Sequence, residues 1–78
     1  MALYSVELHG SNPNDPVPDM GIDGEFSDDA TAINWAYYYM GAHRAPSAKI
    51  YRGDNEPRLA DDFVCEIRSA GYEKNFST

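Results

Sequence analysis

The strongest local instruction in this chain is a helix start at Ser27-Asp28-Asp29. A short polar side chain there caps the free N–H groups of a first turn, and carboxylates meet the positive end of the helix dipole. The pattern predicts a helix capped by Ser27, running through residues 30–40 and stopped by Gly41. Ile33, Ala36, Tyr37 and Met40 recur at i, i+3, i+4 and i+7, which makes them its predicted buried stripe. One helix cannot bury such a stripe alone, so other segments must supply a facing layer.

Alternating segments are available to build that layer as a sheet. In residues 2–9, Tyr4, Val6 and Leu8 fall on one face, and Ser5, Glu7 and His9 on a face expected to be solvated. Residues 10–18 are dense in Gly, Pro, Asn and Asp and read as a loop. Residues 20–26 predict a short second strand with Met20, Ile22 and Phe26 inward and Asp23 and Glu25 outward, although Gly21 and Gly24 weaken it. After a turn at Pro46-Ser47, residues 48–52 predict another strand, followed by a turn at Gly53-Asp54-Asn55.

The next segment carries two patterns. Phe63, Cys65 and Ile67 alternate as in a strand. Leu59, Ala60, Phe63, Val64, Ile67 and Ala70 fit a helical stripe, with Asn55 as cap, Pro57 in the first turn and Gly71 as stop. The helix over residues 57–70 is the preferred reading, with a short edge strand returning at residues 72–76. The fold class is α+β: a small antiparallel or mixed sheet of three to four short strands, with one or two helices packed on one face.

A chain of 78 residues supports one domain, here residues 1–78, and such a domain buries only about 60% of its unfolded surface. Its 42% hydrophobic and 13% aromatic content exceeds that of a disordered acidic tail, so folding is expected. One cysteine, Cys65, excludes an internal disulfide, and it reads as a small or half-buried core residue. His9, His43 and Cys65 lack metal-ligand spacing. No run of about 18 apolar residues and no basic leader before an apolar stretch occurs, so a cytoplasmic setting is expected.

Catalytic constellations are missing from the pattern, and the expectation is a protein that is not an enzyme and holds no cofactor or metal. A calcium loop begun at Asp19 would place Gly21 at its third position and Ala30 at its twelfth, where oxygen ligands are required. The pairs Asp28–Asp29 and Asp61–Asp62 are adjacent in sequence, and adjacent helical residues diverge by about 100°. Helix capping already accounts for the first pair. His43, beside Arg44 near the helix end, is read as structural, because the negative end of the dipole favours cations there.

Charge and aromatic placement carry the functional reading. Residues 1–43 hold seven acids and no Lys or Arg, whereas residues 44–78 hold six of each sign, so the whole net charge of −7 lies in the first part. Negative charge of this kind either solubilises a small protein or presents a surface to a basic partner, imitating a phosphate backbone. It disfavours direct binding to nucleic acid. In the helix, Trp35, Tyr37, Tyr38 and Tyr39 cannot all be buried, and Tyr38 is expected to face solvent or a partner. The candidate partner-binding residues are Asp15, Asp19, Asp23, Glu25, Asp28, Asp29, Trp35 and Tyr38, and the candidate partner is a basic nucleic-acid-binding protein or ribonucleoprotein complex.

In size, charge and order of strand, acidic loop, capped helix and short strand at residues 48–52, the chain resembles the small phage-encoded anti-CRISPR proteins. That resemblance covers most of the chain without a diagnostic motif. It implies an inhibitor in the cytoplasm of a bacterial host that binds a CRISPR effector, such as a Cascade-like surveillance complex, and blocks target DNA binding. The alternative is a structural or assembly module, either monomeric or a homodimer joined through an aromatic patch or an open sheet edge.

Overall fold

The computed structural model describes residues 1–12, 14–53 and 59–69. It contains the strands β1 (Ala2–His9), β2 (Met20–Phe26), β3 (Ser47–Arg52) and β4 (Phe63–Arg68), and one α-helix, α1 (Asp29–Ala42). A 3-10 turn, Ala60–Asp62, leads into β4. The strands form one antiparallel sheet in the order β2-β1-β3-β4, with α1 packed on one face, which is an α+β fold. No helix among the described residues is long and apolar enough to cross a membrane.

The core follows from alternation on the central strands. Tyr4, Val6 and Leu8 of β1 register with Arg52, Ile50 and Ala48 of β3. Ala48, Ile50 and Ile67 of β4 complete the apolar floor beneath the helix. From above, α1 contributes Ala32, Ala36 and Met40, all buried. Two alanines in that position bring the helix axis close to the sheet, and the large rings must then splay to the flanks. Tyr37, predicted to be buried, is therefore 46% exposed, and Ala32 takes the inward place.

Asp28, one residue later than expected, is the helix cap. Its backbone is extended (φ −160°, ψ 175°), and its carboxylate accepts hydrogen bonds from the Thr31 N–H (2.9 Å) and Thr31 Oγ1 (2.8 Å). Ser27 still takes part, its hydroxyl 3.3 Å from that of Thr31. At the other end Gly41 lies inside the helix, which closes at His43. Arg44, with φ 55°, takes the left-handed conformation that ends many helices.

Two further expectations give way. Residues 63–68 are a strand, in place of the helix expected over residues 57–70. As a strand the segment pairs the outer edge of β3 with a ladder of backbone hydrogen bonds, which a helix there would not supply. An irregularity between Ile50 and Tyr51 shifts the register, so Cys65 pairs with Ile50 while Phe63 pairs with Tyr51, their rings 5.4 Å apart. The side of β1 away from the helix is also not simply solvated: Ser5 and His9 are both buried. A central strand has neighbours on both flanks, and Ser5 sits between two acceptors, Asp23 Oδ1 (2.7 Å) and the Gly53 carbonyl (2.6 Å). The expectations for Asp54, Asn55, Pro57, Gly71 and the strand at residues 72–76 lie outside the described residues.

Candidate partner-binding surface

The acidic residues divide into those that fasten the helix start and those that lie along the loop and β2. Asp29 belongs to the first group. It accepts a hydrogen bond from the Tyr4 hydroxyl (2.6 Å) and is clasped by Arg52 through Nε (3.2 Å) and Nη2. The Arg52 bonds, followed by the Tyr4 bond, hold the Asp29 carboxyl below its ordinary value. The same contact raises the Tyr4 hydroxyl, whose ring is buried beneath the helix start. Asp29 thus ties α1 to both central strands. Asp28 is similarly employed: the backbone N–H of Thr31, and then its hydroxyl, lower the carboxyl of this cap.

Asp15, Asp19, Asp23 and Glu25 form the second group. Asp15 accepts from the Val17 N–H (3.0 Å) in a local turn, and Asp23 accepts from Ser5. No Lys, Arg or His among the described residues forms an ion pair with any of the four. All four are exposed. They follow the loop into β2 and run along that strand, at one side of the sheet.

The predicted aromatic candidates occupy different surroundings. Trp35 is half-buried, tilted against Phe26 (5.5 Å between ring centroids) and stacked on Tyr39 (4.9 Å). Tyr4 extends this row at one end (6.0 Å from Phe26) and His43 at the other (4.7 Å from Tyr39). The row lines the flank of α1 that faces β2, and it braces the helix there. Phe26 can reach Trp35 because Gly24 has no side chain; a Cβ at that position would lie 3.0 Å from the Phe26 ring. Tyr38 lies nearly opposite the buried stripe and is 74% exposed.

Sequence reasoning missed one feature of this region. Met20 and Ile22 lie on the helix-facing side of β2, in register with the buried Leu8 and Val6, yet they remain 42% and 40% exposed. The helix meets β2 near Phe26, which packs on Trp35, and leaves the Met20 and Ile22 end at the margin of its cover. Alternation marks the correct face of a strand, but nothing in a strand's own residues records how far a helix reaches across the sheet.

Burial, with a smaller effect from the Asp29 charge, pushes the Cys65 thiol up, away from the reactive thiolate. No group of three or more His, Cys, Asp or Glu is placed to hold a metal ion among the described residues. Comparison with known proteins finds no matching family model, curated protein or solved structure.

Proposed function

We propose that this protein is a stoichiometric binding protein for a positively charged, nucleic-acid-handling partner, engaged through the β2 side of the sheet. The observation that carries this reading is that Asp15, Asp19, Asp23 and Glu25 form no ion pair with any described Lys, Arg or His, and lie beside two exposed apolar side chains, Met20 and Ile22. The charge of Asp29, by contrast, is met by Arg52. The carboxylates on β2 create an outward negative field, which speeds encounter with a basic surface and opposes approach of a phosphate backbone. The resemblance to anti-CRISPR proteins makes a CRISPR effector the first partner to examine, with occlusion of its DNA path as the inhibitory step.

The test is competition for DNA. Purified effector complex is mixed with the protein, and target DNA binding is measured with the native chain and with the double variant Asp23→Lys/Glu25→Lys. Inhibition by the native chain that weakens steeply between about 50 and about 500 mM salt, and is lost in the folded variant, supports the reading. The wider proposal is tested by capture from host extract with the same two proteins. If both retain the same basic proteins at both salt concentrations, the acidic strand is not the binding surface.

A further inference from the structure

The open edge of β2 has a definite hydrogen-bonding pattern. In an antiparallel ladder, the N–H and C=O of one residue point to the same side, and successive residues alternate. The Leu3 carbonyl accepts from the Gly53 N–H on the β3 side, whereas the Leu8 carbonyl accepts from the Asp19 N–H on the β2 side. Even-numbered residues of β1 therefore bond to β2. Their register partners Met20, Ile22, Gly24 and Phe26 turn their backbone groups inward. It follows that Gly21, Asp23 and Glu25 direct theirs outward, beyond the last described strand on that side of the sheet.

We infer that β2 is a docking strand, and that its occupant is an extended segment of the basic partner that adds to the sheet as a fifth strand. This inference rests on the proposed function and specifies its mode of contact. Edge strands are commonly protected by charged side chains, most often Lys, by Pro or by a covering element. The seven residues of β2 include no Lys and no Pro, and no other described residue bonds to their outward groups.

Side-chain chemistry selects the occupant. Asp23 and Glu25 lie on the face of the sheet away from α1, with Ser5 and Leu3, while Met20 and Ile22 lie on the helix side. A strand added to this edge would place its residues opposite Asp23 and Glu25 on the acidic face, where Lys or Arg is favoured. The alternate residues would cover Met20 and Ile22 and approach the shallow pocket of about 250 Å³ formed with His43, Ala45 and Pro46. The matching segment therefore alternates Lys or Arg with Val, Ile or Leu. A second copy of this chain fits poorly, because antiparallel pairing centred on Asp23 sets that carboxylate against its twin, and like charges directly opposite repel.

The experiment uses the full chain and two capped ten-residue peptides of identical composition. One alternates Lys with Val; the other has the Lys and Val residues in separate blocks. Backbone amide exchange is followed by NMR. At about ten times the dissociation constant, the alternating peptide is expected to slow exchange at Gly21, Asp23 and Glu25 about tenfold. Amides of Met20, Ile22 and Gly24, already bonded to β1, should change far less. N-methylation of the alternating peptide on its paired amides is expected to weaken binding at least tenfold, although its charge is unchanged.

Equal binding of both peptides without new protection at those three amides overturns strand addition while leaving the acidic-surface reading intact. Failure of both peptides to bind at low salt counts against both. Protection of the same amides that rises with protein concentration in the absence of peptide identifies a second copy as the occupant and overturns the basic-segment inference.

Discussion

Truncating Leu8 and truncating Met20 should have very different costs, although the two residues are cross-strand partners on the same face of the sheet. Leu8 is 1% exposed beneath the helix, whereas Met20 is 42% exposed at the margin of its cover. Leu8→Ala leaves a cavity in a two-layer core and is expected to cost about 3 kcal/mol, within the range of about 2–5 for buried leucines. Met20→Ala opens no enclosed cavity and loses only part of a side chain's burial, about 1 kcal/mol or less. A domain of this length has a total stability of about 4–12 kcal/mol, so the first change removes a large share of it. Urea unfolding followed by Trp35 fluorescence gives the comparison directly. With a slope of about 1 kcal/mol per molar urea, Leu8→Ala moves the midpoint down by about 3 M and Met20→Ala by about 1 M or less. Should Leu8→Ala unfold entirely, Leu8→Val against Met20→Val preserves the order at smaller amplitude. Equal midpoint shifts for the two positions would refute the placement of α1 and, with it, the open apolar strip on β2.

Gly41→Ala should stabilise the protein by about 0.5–1 kcal/mol, because Gly41 is within the helix and a Cβ there meets no atom within 4 Å. Thermal unfolding tests this, and a fall in midpoint would mean that Gly41 ends the helix after all. Asp28 and Asp29 both have carboxyl groups held below their unfolded value, so the unfolded chain binds more protons as the pH falls. Their stabilising contribution is complete above an unfolded value of about 3.9 and is lost as the pH drops through the lower folded values. Denaturation midpoints measured from pH 6 down to about pH 2 should fall in that window. Asp29→Asn should make the fall shallower, and an unchanged acid slope would show that the Arg52 and Tyr4 contacts do not set it.

Most of the sheet can be read from alternation, and β2 is placed residue for residue despite its two glycines. The helix start is legible to within one residue, because Ser27 and Asp28 are both competent caps and only backbone conformation chooses between them. The buried stripe was harder to identify. A reading that favours large apolar residues selects Ile33 and Tyr37, whereas close packing of a helix on a sheet admits Ala32 and Ala36 and sends the rings outward. The segment at residues 63–68 misleads because its decisive constraint lies elsewhere, in the edge of β3 that it pairs. The bulge opposite Ile50 and Tyr51 further blurs its alternation, moving Phe63 to the face that carries Tyr51. The acidic candidates were legible as residue types, but that Asp29 is neutralised while Asp23 and Glu25 have no described cationic partner depends on where Arg52 and Tyr4 arrive in space.

That contrast bears on why the charge lies where it does. Solubility alone could be served by carboxylates anywhere on the surface, and Asp61 and Asp62 show that the later part of the chain also carries them. Placing Asp23 and Glu25 on an edge strand has a more specific consequence. It deters pairing between copies, since the most symmetric arrangement opposes like charges, while leaving the outward backbone groups of Gly21, Asp23 and Glu25 accessible to a segment of opposite charge. A lysine-rich edge would also prevent self-association, but it would attract nucleic acid. Among ways to protect an exposed edge, acidic residues are the choice that repels both a second copy and a phosphate backbone, and so reserves the strand for a basic polypeptide.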